Sequence, residues 1–178
     1  TDLPALLRGG SVQTGMTSIA DGLFTLNGRT LSGLSSGNNG LTTAYPIQAT
    51  NIATWINNAN IDGITATASN EIVIPANKIN LSQPLSITKT GVASPATTDI
   101  TSGLLPLSSV SALVAAINSK TGATNVIAKL ADDGGLILTN ASGFEGQDIN
   151  IATVGTTNAL GLSHQTYGGS VSLTRPLT

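Results

Sequence analysis

The sequence has no cysteine, which excludes disulfides and thiolate metal sites. It has one histidine, His164, so a zinc motif of the H-E-x-x-H kind cannot form. That histidine reads as a loop residue. Aromatic residues make up 3% and charged residues 9%, against roughly 25% charged in an average soluble domain. The 7 Lys and Arg residues form no stripe, and stacking platforms are scarce, so no nucleic-acid partner is expected. No apolar run approaches the roughly 18 residues of a membrane span, so no membrane partner is expected. Thr1-Asp2-Leu3-Pro4 carries no charged n-region, no apolar h-region and no initiator Met. The expectation is a processed chain or an excised fragment.

What remains is aliphatic and polar. The 178 residues are 40% hydrophobic, with a net charge of −2, enough for one large domain or two small ones. With so few aromatics, the core must be built from Leu, Ile, Val and Ala. Ser, Thr, Asn and Gly stand where charges usually do, giving a polar but nearly uncharged surface.

One pattern occurs twice. The first copy is Thr50-Asn51-Ile52-Ala53-Thr54-Trp55-Ile56-Asn57, followed by Gly63-Ile64-Thr65-Ala66 and Glu71-Ile72-Val73-Ile74. The second is Ser111-Ala112-Leu113-Val114-Ala115-Ala116-Ile117-Asn118, followed by Asn125-Val126-Ile127-Ala128 and Gly135-Leu136-Ile137-Leu138. A constant offset relates Ile52 to Leu113, Ala53 to Val114, Ile56 to Ile117 and Asn57 to Asn118. Such self-similarity marks one supersecondary unit built twice.

Ala49, Ile52, Ala53 and Ile56 fall on one helical face, with Thr50 as the expected N-cap. Val110, Leu113, Val114 and Ile117 do the same in the second copy, capped by Ser108 or Ser109 and stopped by Thr121-Gly122. Strands are expected at Ile64–Ala68, Glu71–Ile74, Ile79–Leu81, Leu85–Ile87, Val126–Leu130, Leu136–Thr139, Ile149–Ile151 and Val171–Leu173. Pro75 ends the strand before it, since proline cannot donate to a ladder. Leu23–Leu31 reads as a hairpin around Asn27-Gly28, the dipeptide of a type I′ turn. Ser32–Gly40 reads as loop, and Tyr167-Gly168-Gly169 as the turn before the last strand. The fold class is α+β, mostly β, with two related units, each a short helix on a small antiparallel sheet. Gly91–Thr98 is the expected linker, which divides the chain into residues 1–91, with the N-terminal hairpin, and 92–178, with the return strand.

Nothing in either copy carries reaction chemistry. Asp132, Asp133, Glu145 and Asp148 form an acidic cluster whose spacing fits no EF-hand, and Asp133-Gly134 reads as a hairpin turn. Trp55, the sole tryptophan, reads as a packing residue, with sugar stacking as the alternative. Asn80-Leu81-Ser82 and Asn140-Ala141-Ser142 spell N-glycosylation sequons, as chance produces in so Asn- and Ser-rich a chain. No nucleophile pairs with a base, so neither an enzyme nor a cofactor is expected.

The second copy, from Ser111 through Gly122, Val126-Ile127-Ala128 and Asp133 to Thr139, resembles the flagellin hook IN motif. Thr25-Leu26-Asn27-Gly28 is similar to the strand that often precedes that motif. Asn158–Leu162 and Tyr167–Thr174 are similar to its return strand. The first copy is degenerate, with Trp55 where Val, Ala or Leu usually stands. The two copies together cover about two-thirds of the chain. The resemblance is to the outer, variable parts of bacterial flagellins and of hook-associated and capping proteins. It implies a structural domain on the outside of a bacterial flagellum, extracellular, contributing to filament surface, antigenicity and lateral contacts in motility. It implies partnership with other flagellar subunits through long helical termini that this sequence does not contain, and exposure to antibodies or a host surface. It also implies that Thr1 and Thr178 lie close together. The alternatives are a hook-associated or filament-cap domain, or a glycan-binding adhesin or phage-tail module. The glycan-binding reading would need an exposed pocket built from Trp55 or Tyr45, Tyr167 and acidic partners.

Overall fold

A computed structural model describes residues 5–35, 46–153 and 158–175. The described chain is α+β and mostly β, and every strand pairing in it is antiparallel. β1 (Ala5–Ser11), β14 (Ser170–Arg175) and β6 (Thr65–Ser69) form one sheet in that order. β10 (Val126–Leu130), β11 (Leu136–Asn140) and β7 (Glu71–Ile74) form a second. β13 (Gln165–Tyr167), β12 (Ile149–Ile151), β8 (Ser86–Thr88) and β9 (Thr97–Asp99) form a third. Two short ribbons join β2 (Ser18–Ile19) to β5 (Leu34–Ser35) and β3 (Thr25–Leu26) to β4 (Arg29–Thr30). The β3–β4 turn has positive φ at both Asn27 and Gly28, as a type I′ turn requires.

Helix α1 (Ala49–Asn58) packs on β6 and β14, and α2 (Val110–Ser119) packs on β10. Each helix buries its apolar stripe, and the two stripes enter different cores. Ile19, Leu31, Leu34, Ile47, Ala53, Trp55, Ile56, Ile61 and Ala66 form one, with Val171 and Leu173 packed against it. Ile74, Leu85, Ile87, Ile100, Leu113, Ile117, Leu136, Leu138, Ile149, Ile151 and Leu160 belong to the other. Each fully buried Leu or Ile contributes about 1.5–3 kcal/mol by leaving water.

The cores divide the chain at Asn70 and Gly168, so the second core is nested within the first. The expected boundary at 91/92 falls in the β8–β9 loop, between two strands that pair with each other. The physical reason lies in the first copy of the repeat. In the second copy, β10 and β11 are separated by residues 131–135 and fold back as a hairpin. In the first, only Asn70 separates β6 from β7. One residue cannot reverse a strand, so β6 joins β14, and β7 runs on to join β11.

Several local expectations are corrected. Thr50 lies inside α1, and Gln48 is the N-cap, its backbone N–H donating to Asn51 Oδ1 at 2.9 Å. Thr121-Gly122 does not stop the second helix. A further turn, α3 (Thr121–Thr124), follows, and Asn125, left-handed at φ 60°, ends it. Of the two caps expected for α2, Ser109 is the one in place, its Oγ accepting from the Ala112 N–H at 3.1 Å. Ile79–Leu81 is not a strand: a 3₁₀ turn at Ala76–Lys78 precedes it, and isolated bonds hold it, Asn80 N–H to Ala159 O at 2.9 Å and Leu107 N–H to Leu81 O at 2.8 Å, instead of a ladder. Within Ser32–Gly40, Leu34 and Ser35 are strand; residues 36–40 lie outside the described residues. Tyr167 ends β13 instead of belonging to a turn. β1, absent from the sequence reading, is interrupted by an irregularity between Arg8 and Ser11 that spans Gly9-Gly10.

Candidate functional site

The repeat residues lie where helix meets strand in each copy. Ala53 and Ile56 are buried in one core, and Ile52 is half-buried beside them. Leu113 and Ile117 are buried in the other, with Val114 half-buried against it. The two asparagines do the same job in both copies. Asn57 Nδ2 donates to Ala66 O at 2.9 Å, and the Ala66 N–H returns to Asn57 Oδ1 at 2.8 Å. Asn118 Nδ2 donates to Ala128 O at 2.9 Å, and the Ala128 N–H returns to Asn118 Oδ1 at 2.7 Å. A primary amide matches a peptide group donor for acceptor, so each asparagine pins the last turn of its helix to the strand beneath. The shared Ile-Asn of the two copies is therefore an apolar anchor beside a backbone clamp.

The two cores meet through polar groups. Asn70, the lone residue between β6 and β7, is buried, and its Nδ2 donates to Gln147 O at 3.0 Å and Tyr167 O at 2.8 Å. Its carbonyl accepts from the Thr139 hydroxyl at 2.8 Å. Asn140 Nδ2 also donates to Gln147 O at 3.0 Å, and its Oδ1 accepts from the Gly146 N–H at 2.8 Å. From the other side, Gln48 Oε1 accepts from the Asp148 N–H at 3.2 Å. A Cβ on Gly146 would strike the side chain of Ala68, and one on Gly169 would lie 2.7 Å from Gly146 O. Glycine is required there because the backbones cross in contact.

Asp148 sits at this crossing and is 7% exposed. Burial pushes its carboxyl up to about 6, partly offset by a hydrogen bond from the Gly169 backbone. Two other acidic side chains of the cluster serve nearby backbone. Asp133 Oδ1 accepts from the Gly135 N–H at 2.8 Å, and Glu145 Oε1 accepts from the Gly143 N–H at 3.0 Å. Hydrogen bonds from its own backbone and from the Gly143 N–H hold the Glu145 carboxyl below its usual range. Among the described residues, no group of three or more histidine or acidic side chains is placed to hold a metal ion. His164 is exposed in a loop, with Nδ1 3.2 Å from Thr153 O.

Trp55 is 4% exposed. Its Nε1–H donates to Ser32 O at 2.9 Å, and Phe24 meets it edge to face with ring centres 5.9 Å apart. Its ring forms part of the floor of a groove of about 970 Å³, lined largely by apolar residues such as Met16, Ile19, Leu31 and Ile52. The indole is thus held by packing and by its own hydrogen bond. Tyr45, the other proposed stacking residue, lies outside the described residues, and the Tyr167 hydroxyl donates to Ser163 O at 3.2 Å. The Asn140 sequon side chain is buried and engaged on both amide atoms.

The junction residues Gln48, Asn70, Gln147 and Asp148 were not visible as a set in the sequence. The nearest signal was the short Ser69-Asn70 gap between the two expected strands, which the structure narrows to Asn70. No protein-family model matches this sequence, and a search of curated proteins finds no match.

Proposed function

We propose that this chain is a solvent-facing domain of a bacterial flagellar filament protein, most simply flagellin. In this reading it is extracellular and projects from a helical filament core. It sets surface chemistry and antigenicity and contributes to lateral contacts in motility. It meets other flagellar subunits through helical segments outside this sequence, has no catalytic role and requires no cofactor.

The observation that carries the reading is the pairing of β1 with β14. Ala5 stands opposite Arg175, so the described chain enters and leaves at one place. A domain inserted between two helical segments needs that arrangement. Thr1 and Thr178 themselves lie outside the described residues. The repeated Ile-Asn unit, with its resemblance to the flagellin hook IN motif, supports a flagellar protein as the host. Trp55, 4% exposed, offers little face for sugar stacking, which favours the filament reading over a glycan-binding module.

Immunogold labelling of intact source cells tests the proposal. Label along whole filaments is the expected result. Label confined to the hook junction or the tip would assign a hook-associated or cap protein instead. Flagella without label would end the flagellar reading.

A further inference from the structure

The sheet of β7, β11 and β10 is covered by α2 on one face. Its other face carries Glu71 and Val73 from β7, Ile137 and Thr139 from β11, and Ile127 and Lys129 from β10. The register sets these six side chains on a grid. Val73, Ile137 and Lys129 make one row; Glu71, Thr139 and Ile127 make the other. A solvated sheet face normally alternates to polar residues. Here half the grid is β-branched aliphatic, with Val73 60% and Ile127 36% exposed. The two charges occupy opposite corners, and neither has an ion-pair partner among the described residues.

That layout complements itself. Let a second copy lie face to face with the first, related by a two-fold axis along the diagonal from Val73 to Ile127. Lys129 of each copy then faces Glu71 of the other, and Val73 and Ile127 each meet their own counterpart. A two-fold contact uses the same patch on both partners, as this one does. The strands of the two sheets cross near a right angle, one of the two standard geometries for stacked sheets. A two-fold along the strands would instead set both charges against aliphatic side chains. A two-fold across the strands would set Val73 against Glu71 and Ile127 against Lys129.

We propose that this face is a homotypic contact surface, occupied by the same face of a second copy of the chain. Six side chains bury far less than the roughly 800 Å² per partner of a standard stable interface. The contact is therefore weak between free molecules and becomes effective where copies are held in an array. Its role as a lateral contact rests on the filament reading; the pairing itself does not.

Sedimentation equilibrium and NMR titration of the whole chain at low salt, up to about 1 mM, test it. The expected result is weak, concentration-dependent self-association, with shift changes at residues 71–73, 127–129 and 137–139. Lys129→Glu and Glu71→Lys should each weaken association about tenfold or more, because like charges then face each other twice. A mixture of the two single variants should associate, since one presents two acids and the other two bases. The double reversal should restore self-association. Both positions are exposed, and circular dichroism confirms that the variants stay folded. Absence of self-association, shift changes elsewhere, or a mixture that does not recover binding would each overturn the proposal. Labelling of cells decides the filament reading separately, so a chain that labels filaments but does not self-associate ends this proposal alone.

Discussion

Asn57 and Asn118 each exchange two hydrogen bonds with the backbone of the following strand. Asn→Ala at either site should cost about 1–2 kcal/mol in denaturant unfolding, because a peptide group loses both partners at a half-exposed site. Asn118→Asp should be worse than Asn118→Ala at neutral pH, since a carboxylate facing Ala128 O has no proton to donate. Asp148 makes a pH prediction. Its carboxyl is raised from 3.8 to about 6 by burial, so the folded state binds the proton more tightly than the unfolded state. The stabilisation is fully present below pH 3.8 and is lost as pH rises through about 6. The melting temperature should therefore fall between pH 4.5 and 7.5, by an amount on the order of 2–3 kcal/mol in stability. Asp148→Asn should flatten that dependence. A wild-type melting temperature that rises across this interval would refute the assignment.

The two helices end differently from what pattern alone indicates, and substitutions separate the causes. Ser109→Ala should cost about 1 kcal/mol, because the side chain caps α2, whereas Thr50→Ala should be near neutral, because Gln48 holds the cap position of α1. Equal effects in thermal melts would contradict the assigned caps. Helical periodicity was legible because Ile52, Ala53 and Ile56, and again Leu113, Val114 and Ile117, face one core each. The Asn27-Gly28 hairpin was legible because its φ requirement is local. The nested topology was not, although its cause is written at Asn70. Whether a one-residue link bends or runs straight depends on partners, here β14 and β11, far away in the chain. β1 was missed because Gly9-Gly10 breaks its alternation, and its register comes from β14 at the other end. Of the site, Ile-Asn was visible as a repeat, but the reciprocal clamp depends on where Ala66 and Ala128 sit in space.

At the scale of the whole molecule, two aliphatic cores share a junction of amides, glycines and one buried carboxylate. Polar contacts couple cores less strongly than continuous apolar packing, so the cores should separate in unfolding. Trp55, the sole tryptophan, reports only the outer core. Its fluorescence transition in urea should precede the far-ultraviolet circular dichroism transition, which both cores dominate. Coincident curves would mean one cooperative unit. The pairing of β1 and β14 brings the described ends together, the arrangement that suits an insert in a larger axial protein. The measurement that tests this claim most directly is mass spectrometry of filaments sheared from source cells and digested. The account predicts abundant peptides from this chain, joined in one polypeptide to long flanking segments of helical sequence. Filaments free of these peptides would contradict it.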